Sequence, residues 1–503
     1  MKKLLKLIFS RVVITALLII LQVLVLALVA WNLNEYVVYF HRMFFVVSLM
    51  VLVYIINRKE SPSYKLPWVF LIFIFPIIGV PLYVVYAREY LNDYKYNKLN
   101  DIMKLNDSDK QLLENVKKEN KIGYSQINYL VNNCFSRPYT NTSCKYFCMG
   151  DEAFVSMLKD IKNAQKFIFL EYFIIEEGKM WNSILEVLKN KVKDGIDVRV
   201  MYDDIGCIRT LPNKYYKKLE EYGIKCVVFN EFRPVLSLGH NNRDHRKILS
   251  IDGNIGYTGG INLADEYINE ICKFGVWKDT VIRLEGSAVE KLTSMFLSTW
   301  NYFTNGSEED SLYKCSITKK DDGIIVPFGD SPVDSELVGQ SVYINMINLS
   351  TDYVYINTPY LIVSHELLEA LRLASKRGVD VRITTPHVPD KWYIHLMTRS
   401  NYEYLAEAGV KIYEYEPGFI HAKSFVSDDR YAVIGTINLD YRSLVHHFEC
   451  GVFIYDSSVI SDMKKDYLKT LDKCVTITSK ELNSIPLYKK IFRNILEFFA
   501  PLL

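Results

Sequence analysis

The chain has 503 residues, too many for one ordinary domain, and its 60 basic against 58 acidic residues leave a net charge of +2. That balance argues against a protein whose main business is wrapping nucleic acid, and 50% apolar with 23% charged residues excludes a largely disordered chain. The nine cysteines are scattered, and the closest pair, Cys144 and Cys148, lacks zinc-site partners, so neither a disulfide framework nor a zinc module is expected.

Apolar residues concentrate at the N-terminus. Residues 12–31 form a nearly continuous apolar run, 37–56 a second, and 67–86 a third that is interrupted by Pro76, Gly79 and Pro81. The first run is too long for a signal peptide and no small-residue cleavage site follows it, so a retained anchor over residues 1–88 with N-terminal transmembrane helices is expected. The third run fits a kinked span, a re-entrant hairpin or an interfacial segment. Lys2, Lys3, Lys6 and Arg11 before the first run, and Arg58, Lys59 and Lys65 after the second, place the N-terminus and the Arg58 turn on the cytoplasmic side. A charged linker over 89–124 follows.

From about residue 125 the pattern is α/β, and it repeats. Phe167-Ile168-Phe169-Leu170-Glu171 is matched by Tyr353-Val354-Tyr355-Ile356-Asn357, and Asp194-Gly195-Ile196-Asp197-Val198-Arg199 by Arg377-Gly378-Val379-Asp380-Val381-Arg382. Apolar strands alternating with helical stretches predict two duplicated halves, 125–302 and 337–479, each built on a mainly parallel sheet. Residues 303–336 read as the joint between them. In the C-terminal segment 480–503, Tyr488, Ile491, Phe492, Ile495 and Phe499 recur at helical spacing opposite Lys489, Lys490 and Arg493, predicting an amphipathic helix on anionic lipid.

The same residues recur at one place in both halves. His245-Arg246-Lys247 is followed by Asp252, then Gly259-Gly260-Ile261-Asn262; His421-Ala422-Lys423 by Asp428, then Gly435-Thr436-Ile437-Asn438. On a strand, residues two apart share a face, so each His and Lys point into one site. An imidazole titrates near neutrality and serves as nucleophile, acid or base, while a lysine holds phosphate oxygens through the transition state. Two such sets facing one another let one histidine attack phosphorus and the other protonate the leaving oxygen.

These motifs resemble the phospholipase D superfamily, whose signature is a doubled H-x-K-x4-D with a following G-[GST]-x-N. Tyr202-Asp203-Asp204-Ile205-Gly206, the run from Glu414-Tyr415-Glu416-Pro417-Gly418 to Lys423, and Asn438-Leu439-Asp440-Tyr441-Arg442-Ser443 resemble, more narrowly, the bacterial cardiolipin synthases. The resemblance implies two halves sharing one active site. It implies phosphatidyl transfer between two phosphatidylglycerol molecules, giving cardiolipin and glycerol through a phosphohistidine, without metal, nucleotide or other cofactor. A membrane phospholipase D, or a phosphatidyltransferase using another acceptor alcohol, is the alternative; a nuclease is disfavoured by the charge and the apolar segments. The expected partners are phosphatidylglycerol and anionic membrane lipid, not nucleic acid, and the expected location is the bacterial plasma membrane.

By the same resemblance His245 and His421 form the catalytic pair, with His245 as the nucleophile, and Lys247, Lys423, Asn262 and Asn438 hold phosphate. Asp252 and Asp428 complete the catalytic signature, with a mainly structural part in holding the turn. Asp279 and Glu449, each downstream of one motif, are expected to orient that motif's histidine. His446 and His447 are adjacent and point to opposite faces of a strand, which argues against a metal site. His240 is a solvated loop histidine or a substrate contact, and Arg399 either reaches a lipid phosphate or lies on a helix surface.

Overall fold

The computed structural model describes residues 37–58, 62–75, 79–80, 82–84, 105–231, 242–320, 322–333, 336–478, 482 and 486–502. These fall into two units: residues 1–91 with 230–242 and 498–503, and residues 92–229 with 243–497.

In the first unit, Val37–Asn57 and Pro62–Ile74 are helices. The expected first span, 12–31, lies outside the described residues. Among the described residues no helix is long and apolar enough to cross a membrane. The third apolar stretch is a hairpin, not one rod. The Trp68 and Tyr83 rings meet at 5.4 Å, whereas fifteen residues along one helix would separate them by about 22 Å. Gly79 makes the return possible, because a Cβ there would stand 2.7 Å from the Ile72 Cα. Ile55, Trp68, Ile72, Val80 and Tyr83 form the buried centre of this unit.

The second unit contains both halves. The first sheet runs in the order Thr142–Phe147, Val281–Gly286, Ile255–Gly259, Lys247–Ile251, Phe167–Tyr172, Asp197–Asp203, Lys225–Phe229. The second runs Ile324–Asp330, His447–Tyr455, Tyr431–Gly435, Ser424–Ser427, Tyr353–Asn357, Asp380–Pro386, Lys411–Tyr415, Cys474–Thr476. The expectation of mainly parallel sheets is corrected. Along the strand order of each sheet, parallel pairing joins Phe167–Tyr172 to Asp197–Asp203 to Lys225–Phe229, and their counterparts Tyr353–Asn357, Asp380–Pro386 and Lys411–Tyr415, while the remaining neighbours are antiparallel. Those strands are linked by helices such as Lys179–Lys193, whose Met180, Trp181, Ile184, Leu185 and Leu188 make one buried stripe. Each motif strand instead leaves through a tight turn with left-handed residues, Asp252 and Gly253 or Asp428 and Asp429, which makes the next strand antiparallel.

The two sheets pack face to face. Ile248, Ile282 and Leu284 of the first share a buried cluster with Ala432, Ile434 and Val452 of the second. The expected linker and joint are partly structured. Asp107–Glu119 is a helix opened by an Asn106–Asp109 capping box, and with Lys121–Asn133 it packs into the second half's core beside Val338 and Val342. Within 303–336, Ile324–Asp330 is an edge strand on His447–Tyr455. The charged face of the first helix and the polar flanks of the strand hide these contacts from composition.

Candidate active site

Each motif histidine sits just before its strand and is fixed by the opposite half. His245 N–H donates to Phe448 O at 2.9 Å, and His421 N–H to Lys278 O at 2.7 Å. Two short parallel pairings carry this exchange: Arg243–Asp244 against His447–Phe448, and Gly418–Ile420 against Val276–Lys278. The carboxylates are therefore crossed. His245 Nδ1 lies 2.8 Å from Glu449 Oε1, and His421 Nδ1 lies 2.6 Å from Asp279 Oδ2. This corrects the expectation that each carboxylate serves the motif upstream of it. A carboxylate beside Nδ1 requires the proton there, which leaves the Nε2 lone pair of both rings for chemistry.

Both histidines and both lysines are buried. Lys247 Nζ donates to His245 O at 2.6 Å, and Lys423 Nζ likewise donates to His421 O. Burial is the largest influence on all four. It lowers Lys247 to about 8 and Lys423 to about 7. It lowers His421 to about 4, assisted by the Lys423 charge and opposed by Asp279. His245 is pushed well below the ordinary imidazole range by burial, then by Lys247, Lys423 and His421. The charge of His421 is felt at His245, and both depressions favour the neutral imidazoles at pH 7.

The remaining signature residues divide. Asn262 Oδ1 accepts from Ile174 N–H at 3.0 Å and its amide donates to Tyr267 Oη at 2.7 Å, so this side chain ties the strand after Tyr172 to the site. Asn438 is buried, and among the described residues its Oδ1 has no hydrogen-bond partner. Asp252 accepts the backbone N–H groups of Gln165, Lys166 and Phe167, and Asp428 those of Thr351, Asp352 and Tyr353. Each carboxylate stands past the far end of its motif strand, about 16 Å from the lysine along the chain. It starts the neighbouring strand and takes no part in the pocket.

Other candidates are also placed. Arg399 is held by Glu414 through Nε at 2.8 Å and Nη2 at 2.5 Å, and the same carboxylate takes His387 Nδ1 at 2.9 Å. His240 lies outside the described residues. His447 is buried, its ring 5.4 Å from that of His245 and its Nδ1 3.7 Å from Glu449 Oε1. Among the described residues, His245, His447 and Glu449 bring metal-ligand-type atoms within 4.8 Å of one another. Glu449 already serves His245, and the charges of Lys247 and Lys423 oppose a dication there. The reading of the residues also missed Thr436, whose hydroxyl donates to Glu449 Oε2. The one signal for it was the inequality of the small pairs, Gly259-Gly260 against Gly435-Thr436.

Comparison with known proteins gives the family and the fold. Residues 157–300 and 343–471 match the family described as cardiolipin synthase, PLD-like domain, and residues 46–88 match phospholipase D-nuclease N-terminal. An uncharacterized protein of Streptococcus mutans is 42% identical over 460 residues, spanning 90% of this chain and 99% of its own. Cardiolipin synthase 1 of Staphylococcus aureus is 31% identical, over 91% of this chain and 96% of its own. Cardiolipin synthase of Oceanobacillus iheyensis is 32% identical, over 91% and 97%. The crystal structure of phosphatidylserine synthase from Haemophilus influenzae superposes with a TM-score of 0.57 at 15% identity, over 76% of this chain and 100% of its own, which shows the shared fold.

Proposed function

Since the chain belongs to the cardiolipin synthase family of phospholipase D-like proteins, we propose that it moves a phosphatidyl group between two phosphatidylglycerol molecules. The anionic phosphodiester of the donor draws a proton onto His421 Nε2 as it binds; His245 Nε2 then attacks the donor phosphorus, the bond from phosphorus to the glycerol oxygen breaks, and His421 gives that proton to the departing oxygen. Glycerol leaves. His421 then takes the proton of the acceptor lipid's hydroxyl, whose oxygen displaces His245 to give cardiolipin. Lys247 and Lys423 hold the non-bridging oxygens, and Glu449 and Asp279 stabilise the charged rings. The crossed histidine–carboxylate pairs carry this reading. The order of roles rests on the carboxylates: Asp279, 2.6 Å from His421 Nδ1, favours the protonated form of that ring and suits it to carry the proton, which leaves His245 as the nucleophile.

The apolar run 12–31 and the outward apolar residues of Val37–Asn57 support a multi-pass anchor in the bacterial plasma membrane. The hairpin at Trp68 and Tyr83 supports a third apolar stretch that returns to the side of the membrane from which it enters. Purified protein in phosphatidylglycerol vesicles is expected to form cardiolipin and glycerol in equal amounts. Release of phosphatidic acid with no cardiolipin overturns the transfer reading and leaves a hydrolase.

A further inference from the structure

The C-terminal helix Leu487–Phe499 is built inside out. The side chains of Lys490, Arg493 and Glu497 face the protein. Lys490 Nζ lies 3.1 and 3.2 Å from the two Glu403 oxygens, Arg493 Nη1 donates to Arg399 O at 3.3 Å, and Glu497 bonds to Ser400. Residues 490, 493 and 497 make one stripe at helical spacing. The opposite stripe is apolar and open: Leu487 is 72% exposed, Tyr488 69%, Ile491 52% and Ile495 52%. Phe492 extends it by stacking on Trp392, at 6.5 Å and 11°, and that indole is itself 63% exposed. A helix in water turns the other way, so a covering phase is missing.

We propose that this ridge of Leu487, Tyr488, Ile491, Phe492, Ile495 and Trp392 is seated in the acyl–headgroup boundary of the bilayer that holds the substrate. The proposal rests on the reading of the chain as an enzyme of membrane phospholipid. Two observations choose lipid over a protein partner. The helix ends at Phe498 and Phe499, whose rings pack on Phe70 at 5.4 and 6.3 Å, inside the apolar helical unit. That unit shows the same outward apolar habit, with Phe45, Met50 and Val53 each more than half exposed. The aromatic members, Trp392 and Tyr488, suit the interface. Because Lys490 and Arg493 are spent on Glu403 and on the Arg399 carbonyl, insertion is apolar and not a charge attraction, which departs from the anionic-lipid docking expected from sequence.

The test uses the full chain, one copy per nanodisc of zwitterionic phosphatidylcholine with acyl chains brominated near the headgroup. The emission of Trp392, taken as wild type minus Trp392→Phe, is expected to fall by half or more. The fall is expected to be equal at low and high salt and in discs containing anionic lipid. Ile491→Asn with Ile495→Asn is expected to restore the emission. An unquenched Trp392 overturns the proposal. So does quenching confined to anionic discs at low salt, or quenching that needs two chains per disc, which would assign the ridge to a second copy. The readout requires no turnover, so absence of cardiolipin in phosphatidylglycerol discs tests the enzymatic reading separately.

Discussion

The His245 and His421 half-sites share a backbone plan and differ in how the carboxylate reaches the ring. Asp279 is one methylene shorter than Glu449 and lies directly over Gly260, where a Cβ would stand 1.9 Å from Oδ1. At the equivalent place the longer Glu449 leaves room for Thr436, whose hydroxyl binds its second oxygen. Around the rings, His421 is boxed by Trp277 at 5.2 Å and Tyr267 at 5.7 Å, while His245 has Phe173 at 5.0 Å and the second imidazole of His447 at 5.4 Å. Duplication thus kept the geometry of a histidine–carboxylate pair but let the surroundings of the two rings drift apart. That drift is what an attacking group and a proton carrier require of two otherwise identical side chains.

The sharpest way to break this comparison is to remove one ring at a time. His245→Ala and His421→Ala are each expected to lower kcat by at least about 10³-fold. With a phosphatidyl donor carrying a good leaving group, only His421→Ala is expected to accumulate a covalent lipid adduct, detectable by mass. An adduct on His245→Ala instead exchanges the two roles. Next in size, Asp279→Asn and Glu449→Gln are expected to cost about 10²- to 10⁴-fold in kcat by disturbing the tautomer and the charged ring. Gly260→Ala is expected to approach Asp279→Asn, because the new methyl displaces that carboxylate, whereas Thr436→Ala is expected to cost about tenfold through one lost hydrogen bond to a charged group. Equal losses at Gly260 and Thr436 would erase the distinction between the half-sites.

The lysines give a pH signature. The ammonium forms are present below about 7 for Lys423 and about 8 for Lys247, and are lost as pH rises through those values. The alkaline limb of kcat/KM is therefore expected there. A bound phosphodiester adds negative charge, raises both lysines, and moves the limb of kcat upward. Coincident limbs would mean that the lysines do not hold the phosphate. Smallest in its effect on turnover, Asp252→Ala or Asp428→Ala is expected to lower stability by about 2 kcal/mol through lost backbone hydrogen bonds, read as a fall in Tm with KM unchanged.

The duplication, the pairing of each histidine with the lysine two residues on, the acidic residues downstream and the apolar runs near the N-terminus were all legible, because period-2 and period-3.6 patterns and residue chemistry are local properties. The strand Lys247–Ile251, for example, is announced by its short, largely apolar run and by the Asp252-Gly253 turn that ends it. Its partners are not. That it lies antiparallel to Phe167–Tyr172, that Glu449 rather than Asp279 reaches His245, and that Asp107–Asn133 packs on the second half were decided by which surfaces meet. The C-terminal helix makes the same point: its sequence fixes two faces, and only the Glu403 carboxylate waiting beneath Lys490 turns the charged one inward. A chain writes locally which face of an element is apolar and which carries a functional group, but the identity of what covers that face depends on residues two hundred positions away, and no local pattern records it.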